Sequence, residues 1–303
     1  MDIKKDCEIK NEEINHPSAL NFPSHIDHYL SEEQTHGAIL GPLDTPPPDF
    51  HVSPFMSREK SDSDRRRVIV DLSWPKGSSV NDAVQSDNYV GVDFLLTLPT
   101  IDNITDTVKK LGRGCHIAKI DISRAFKHVP IDPADTHLLG LNWKGAYYLE
   151  KNLVFGFKFG SMIFQRLSQS VRYIMSKQNY IMHSYIDDHL LFGQKSDCQK
   201  AFDRLHGLLQ ELGFTISEHK NVLPTTLAIC LGIEIDTKKF CVSLPDKKLN
   251  QIKDWVQEWS YKEKCTKNQL QSLLGSLLYV SKCVKYSRFF SKQITTNFKR
   301  TRY

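Results

Sequence analysis

The stretch Tyr185-Ile186-Asp187-Asp188 constrains this chain more than any other. Apolar residues lead into it (Ile181, Met182, Ile186) and follow it (Leu190, Leu191, Phe192), and Gly193 closes the segment. An apolar run, a tight turn and a second apolar run predict a β-hairpin with two adjacent carboxylates at its tip. Two neighbouring acids with no base in the turn repel each other, and a cation between or above them relieves that cost. Hydrated Mg²⁺ suits such a pair, because it takes one or two carboxylates together with phosphate oxygens. The hairpin thus points to phosphoryl-transfer chemistry. Asp-Asp is also an ordinary polar turn, and the pair alone does not separate the two readings.

A third acid stands in a matching context. Residues 115–122, Cys-His-Ile-Ala-Lys-Ile-Asp-Ile, have the apolar content of a buried strand and follow Gly112 and Gly114. Asp121 lies near the end of that strand, and Ser123-Arg124-Ala125-Phe126 turns away from it. A carboxylate between Ile120 and Ile122 is costly to bury without a partner. It is either a structural carboxylate paired with Lys119 or Arg124, or it converges with Asp187 and Asp188 on two metal ions. In the second case one ion activates an attacking hydroxyl and the other stabilises the leaving oxygen.

Six segments in a fixed order carry a family resemblance. They are Arg67 to Leu72, Asp121 to Phe126, Leu153-Val154-Phe155-Gly156 running on to Phe164-Gln165, Tyr185 to Asp188, Gly213-Phe214-Thr215 with Lys220, and Leu231-Gly232. From residue 17 onward the chain resembles the polymerase domain of a reverse transcriptase of the retroelement kind. The segments match, in turn, its basic fingers strand, first catalytic motif, LPFG…FQ segment, YxDD box, following lysine segment and primer-grip hairpin. Six segments in order are far more specific than YxDD alone. His36 to Pro42 and Ser78 to Asp82 are most similar to DIRS or gypsy-type elements. Val154 stands where the family often has Pro, and Gly160-Ser161-Met162 where it often has a Ser/Ala-Pro pair. Neither departure removes a catalytic group.

The resemblance implies an α+β right-hand polymerase fold. Residues 1–16 form a disordered tail, 17–100 and 129–152 the fingers, 101–128 and 153–243 a palm of antiparallel sheet backed by helices, and 244–303 a helical thumb. It implies an RNA-directed DNA polymerase that adds dNTPs to a primer 3′-hydroxyl on an RNA or DNA template. Asp121 and Asp187 ligate two Mg²⁺ ions, with Mn²⁺ as the alternative, and Asp188 shapes the site and aids the primer-side metal. Lys220 protonates the leaving pyrophosphate, or is a surface lysine near a turn. Ile122 and the turn Ser123, Arg124, Ala125 and Phe126 take the dNTP, backbone amides of the turn cradling its triphosphate. Phe126 sits under the sugar and excludes a 2′-hydroxyl, or is an ordinary core residue. Lys60 and Arg67 hold the outer phosphates, and Arg65 and Arg66 touch template phosphates or are solvated. Phe155 lines the nucleotide side, Gly156, Gln165 and Tyr185 the template side, and Leu231 and Gly232 the primer end.

Charge placement agrees with a polyanionic partner. The net charge is only +5, yet residues 1–64 carry five bases against thirteen acids and residues 237–303 fifteen bases against four acids. A basic C-terminal region suits nucleic acid, and also an ordinary lysine-rich helix face. Seven scattered cysteines without a Cys-x-x-Cys pair argue for a reducing compartment and against a zinc ribbon. The charged N-terminus shows no signal peptide and no apolar stretch is long enough to span a bilayer, so an intracellular site, cytoplasmic or nuclear, is expected. Residues 244–303 lack the acid cluster and αβ pattern of a ribonuclease H, so the sequence reads as part of a retrotransposon polyprotein, a fragment of one or a decayed copy. The competing reading is a catalytically silent nucleic-acid-binding remnant.

Periodicity predicts the supporting helices. Thr100 caps one whose stripe is Ile101, Ile104, Val108 and Leu111. Another starts at Ser161 with Ile163, Phe164, Leu167, Val171 and Ile174 on one face. A third starts at Asp197 and buries Ala201, Phe202, Leu205, Leu208, Leu209 and Leu212. Thr266 and Gln269 form a capping box before the last helix.

Overall fold

The computed structural model describes Ile9, Asn11 and residues 14–60, 63–84, 88–89, 92–93 and 96–284. Two N-terminal helices, α1 (Pro17–Leu20) and α2 (Pro23–Thr35), precede strands β1 (Ile39–Leu43), β2 (Phe55–Lys60) and β3 (Ser63–Val70). A short α3 (Val80–Ala83) and the two-residue strands β4 (Asn88–Tyr89) and β5 (Val92–Asp93) lead to α4 (Ile101–Leu111). Then come β6 (His116–Asp121), β7 (Gly140–Trp143), β8 (Ala146–Glu150), α5 (Gly160–Lys177), β9 (Ile181–Tyr185), β10 (Asp188–Gly193) and α6 (Lys195–Glu211). The chain continues through β11 (Val222–Thr225), β12 (Leu227–Cys230), β13 (Ile233–Asp236), β14 (Cys241–Ser243), α7 (Asp246–Ser260) and α8 (Lys267–Val280).

A four-stranded antiparallel sheet, ordered β11-β6-β10-β9, carries the acids. Side chains alternate across a strand, and here both faces are covered. On one face Ala118, Ile120, Ile122 and Leu191 pack with Phe164, Val171 and Met175 of α5 and with Cys198, Phe202, Leu205 and Leu209 of α6. On the other, Ile117, Leu190 and Phe192 pack with Ile101, Ile104 and Val108 of α4 and with Ala228, Cys230, Ile233 and Ile235 of the β12-β13-β14 sheet. Burial on both faces explains why β6 and β10 read as apolar runs rather than alternating strands. Each fully buried Val, Ile, Leu, Met or Phe among them contributes about 1.5–3 kcal/mol over its exposed state. By the same alternation Lys119, Asp121 and Asp188 lie on the second face, where the sheet runs past its apolar cover.

The helix boundaries follow the expected chemistry. Thr100 and Asn103 form a capping box at the start of α4, and Gly112 at φ 88° ends it. Thr266 and Gln269 do the same at α8. The α+β class stands, with antiparallel strands throughout the sheets.

Several expectations are corrected. Leu167, 38% exposed, is not on the buried face of α5, and Leu212 is exposed just past α6. Gln165 and Ser168 take buried positions on α5 instead. The expected tail 1–16 is anchored where it is described: Asn15 accepts a hydrogen bond from the Phe55 amide and donates one to the Asn142 carbonyl, and Asn11 accepts from the Val52 amide. Most of residues 1–13, and the expected thumb residues 285–303, lie outside the described set.

Gly156 joins the β3 end to the loop before α5. Its φ is +115°, and a Cβ there would lie 2.1 Å from the Val70 carbonyl oxygen. Asn81 also donates to the Gly156 carbonyl at 2.7 Å. Gly156→Ala should therefore cost about 2–4 kcal/mol in urea unfolding; wild-type stability would mean that this close approach does not exist.

Candidate active site

The hairpin forms as its sequence demands, with a strained tip. Asp188 pairs with Tyr185, which leaves Ile186 and Asp187 as the turn. Ile186 has φ 55°, a left-handed conformation that costs a β-branched residue on the order of 1–3 kcal/mol. Helix α5 holds it there. Gln165 accepts from the Ile186 amide at 2.7 Å and donates to the Ser184 carbonyl at 2.9 Å. Ser168, one turn further along α5, donates to the Ile186 carbonyl. The Asp187 carbonyl in turn accepts the Ile122 amide at 3.1 Å, tying the tip to the end of β6.

The register places Asp188 directly opposite Asp121. Cross-strand partners have Cβ atoms about 5 Å apart, so the carboxylates of the two strands meet beside Asp187. Asp121 is 4% exposed. Its carboxylate accepts from Lys220 Nζ at 2.8 Å and from the Ser217 hydroxyl, and its backbone is fixed by the Ser217 amide at 2.8 Å and the Asn221 carboxamide at 3.4 Å. Asp188 accepts from Lys119 Nζ at 2.8 Å. Neither partner expected for a structural Asp121 is the one found: Lys119 crosses to Asp188, and Arg124 pairs with Glu33.

Burial works to raise the pKa of Asp121, but hydrogen bonds from Lys220 and Ser217 outweigh it and hold this carboxyl below its ordinary range. Burial pushes Asp187 up, and the charge of Asp121 adds to that. Burial also raises Asp188; Lys119 opposes the rise, while Asp187 and the bond to Asp121 reinforce it. The cluster thus holds more negative charge than its two lysines compensate.

The dNTP-side expectations fare unevenly. The Ile122 and Ser123 amides are taken by the Asp187 and Thr215 carbonyls, so they cannot cradle a triphosphate. Among the described residues this leaves the amides of Arg124, Ala125 and Phe126 without a backbone acceptor in that turn. Phe126 is only 8% exposed and packs against Phe155, ring centroids 4.7 Å apart, and Phe164. Phe155, 46% exposed, is the outer ring, and the Arg67 guanidinium lies 5.3 Å from its centroid. Arg66 is not free for a template: it bonds Glu59 and Ser57 and covers the Phe22 ring. The side chains of Lys60 and Arg65 lie outside the described residues.

Gln165 is buried beneath the hairpin, so it supports the tip and does not line the template side. Gly156 abuts β3, and Tyr185 sits half-buried opposite Asp188. Leu231 and Gly232 form the left-handed turn between β12 and β13 (φ 48° and 78°), with the Tyr279 hydroxyl of α8 against it. Sequence reasoning missed Ser217, Asn221 and Ser168, and did not pair Lys119 with Asp188. One signal was present: Lys119 and Asp121 are two apart on a strand and share a face.

Three carboxylates suit a hard, oxygen-preferring divalent ion. With Lys119 and Lys220 on two of them, no group of three His, Cys, Asp or Glu among the described residues is arranged to close on a metal. The donor chemistry fits Mg²⁺, and coordination requires these lysines to yield.

Acids gathered at the end of an antiparallel sheet that is backed by two helices are the layout of a polymerase palm. The chain belongs to the reverse transcriptase family, a nucleotidyltransferase class: the family described as Reverse transcriptase (RNA-dependent DNA polymerase) matches residues 60–286. Its fold is similar to that of the foamy viral protease-reverse transcriptase. In complex with double-stranded DNA, the dRH form matches with a TM-score of 0.76 at 18% identity, covering 99% of this chain and 47% of that one. A second complex with double-stranded DNA gives 0.74 at 17% identity, covering 99% and 56%. A complex with an RNA/DNA hybrid gives 0.69 at 18% identity, covering 92% and 33%. The chain thus spans about half or less of the foamy viral chains it matches. No curated protein matches it. Among the described residues no helix is long and apolar enough to cross a membrane.

The raised pKa of Asp187 has a sign that can be tested. An acid whose folded pKa lies above its unfolded value destabilises the fold in full above the folded pKa, and the penalty fades as pH falls. Without divalent ions, Asp187→Asn should raise the Tm at pH 7 by roughly 2–4 °C, a gain that shrinks toward zero near pH ~4. A lower Tm at pH 7, with the fold retained, would contradict the charge account.

Proposed function

We propose that this chain is an RNA-directed DNA polymerase that adds dNTPs to a primer 3′-hydroxyl by a two-metal mechanism. The reading rests on one observation, the register that sets Asp121 opposite Asp188 with Asp187 in the turn between strands. Asp121 and Asp187 would hold both divalent ions, and Asp188 would complete the site on the primer side. Bound ions supply Lewis acidity at the attacking hydroxyl and at the oxygens that leave with pyrophosphate.

The rest of the work is positioning. The rigid hairpin fixes Asp187 and Asp188 against β6. The amides of residues 124–126 and the Arg67 guanidinium receive the triphosphate. Phe155 and, beneath it, Phe126 form an aromatic wall against a ribose 2′-hydroxyl. Lys220, on leaving Asp121, stands ready to donate a proton to pyrophosphate. The Leu231-Gly232 turn steadies the primer end. On this reading residues 17–100 and 129–152 are fingers, 101–128 and 153–243 palm, and 244 onward thumb. Template, primer and dNTPs are the partners. The stretch Ser78 to Asp82 favours a DIRS or gypsy-type retrotransposon polyprotein as the parent.

A second reading has its own support. Lys119 on Asp188 and Lys220 on Asp121 neutralise much of the cluster without any metal, as a catalytically silent nucleic-acid-binding remnant would need.

One assay separates the two. The purified chain is given a homopolymeric RNA template, a DNA primer, Mg²⁺ and either dNTP or NTP. Extension with dNTP that falls at least about 100-fold in Asp187→Asn is expected. Salt-sensitive binding with no extension supports the remnant. In the same assay, Phe155→Ala combined with Phe126→Ala should admit NTP; unchanged selectivity removes both rings from the sugar wall.

A further inference from the structure

The turn that follows Asp121 is held from two sides. On the strand side, the Ile122 and Ser123 amides bind the Asp187 and Thr215 carbonyls. On the far side, two basic side chains of the turn reach into a buried acidic pair. Arg124 Nη2 lies 2.5 Å from Glu33 on α2, and Lys127 Nζ lies 2.5 Å from Glu150 at the end of β8 and 3.8 Å from Glu33. Tyr29, also on α2, donates to Glu150 and accepts from Lys127. Glu33 is buried and Glu150 is 0% exposed.

A buried ion pair rarely outdoes well-packed apolar residues of the same size, but breaking it frees a buried charge. What it does offer is geometry. Arg124 has a left-handed backbone at φ 50°, a conformation a non-glycine residue keeps only where its surroundings hold it. The next four residues, Ala125–His128, make a single 3₁₀ turn. The amides of 124, 125 and 126, without a backbone acceptor among the described residues, belong to a segment whose side chains at 124 and 127 are pinned by these acids.

We propose that Glu33 is a positioning residue for the incoming nucleotide: helix α2, through Glu33 on Arg124 and with Glu150 on Lys127, fixes the turn whose amides meet the triphosphate. The inference rests on the polymerase reading and deepens it, because it makes the N-terminal helix part of the nucleotide site without touching substrate. Glu33 touches neither the acids nor the hairpin, and it acts only through Arg124 and Lys127.

The test compares Glu33→Gln, Arg124→Gln and the double variant in the full chain. It measures kcat, KM for dNTP, primer–template Kd, Tm and amide exchange of the 122–130 peptide. Glu33→Gln should raise KM for dNTP about 10- to 100-fold, keep kcat and primer–template Kd close to wild type, and speed exchange in that peptide. Adding Glu33→Gln to Arg124→Gln should raise KM little further, since both act on one turn. A Glu33→Gln enzyme with wild-type KM overturns the proposal, and so do additive effects in the double variant. Loss of dNTP and primer binding together with Tm also overturns it, as that marks a merely structural role. Tyr29→Phe leaves both ion pairs and covers the case in which Glu33→Gln does not fold: KM should rise about 3- to 5-fold, and no rise counts against the proposal. A wild-type chain that neither extends a primer nor binds dNTP with Mg²⁺ sinks the polymerase reading and this role with it; an active wild type with an unaltered Glu33→Gln sinks this role alone.

Discussion

Three carboxylates of like charge are forced together by the pairing of β6 with β10, and the surrounding structure is organised around that repulsion. The pairing itself is driven by the apolar residues of both strands, which are buried on both faces of the sheet. The acids sit just beyond that apolar cover, on the same face as Lys119. Two ammonium groups relieve part of the charge, and what remains shows in the raised pKa values of Asp187 and Asp188. The donor chemistry of three clustered acids suits a divalent cation, the charge that the proposed function calls on.

The supports of the site are polar and lie where apolar residues would be expected. Gln165 and Ser168 occupy buried positions of α5 and spend their hydrogen bonds on the backbone around Ile186. Without them the left-handed isoleucine loses both of its side-chain anchors on α5. Glu33 and Glu150 do comparable work for the turn after Asp121. The Glu33 group is held by its ion pairs, although the Arg124 Nε beside them is buried without a partner.

Much of this was legible in the letters, for identifiable reasons. The hairpin and β6 were readable because strands buried on both faces leave unbroken apolar runs. The helices α4 and α8 were readable because capping boxes are local chemistry. Register was not readable, so Lys119 and Arg124 both stood as candidate partners for a structural Asp121, and Lys119 is found on Asp188 instead. The face of α5 was misjudged at Leu167 because a helical pattern scores apolar residues, whereas the buried slots belong to a glutamine and a serine bonded to another element. Phe126, read as either a sugar wall or a core residue, is largely buried, and Phe155, 29 residues on, packs against it as the outer ring. The Arg124 pair with Glu33 joins residues 91 apart, a separation that no local pattern records.

Family membership and fold agree with this physical picture. The most direct test of the metal claim is anomalous scattering from Mn²⁺ in crystals grown with a primer–template and an unreactive dNTP analogue. The account expects peaks within bonding reach of Asp121 and Asp187, with Lys220 moved off Asp121. A bound analogue with Lys119 and Lys220 still on their acids, and no anomalous peak beside them, would contradict it.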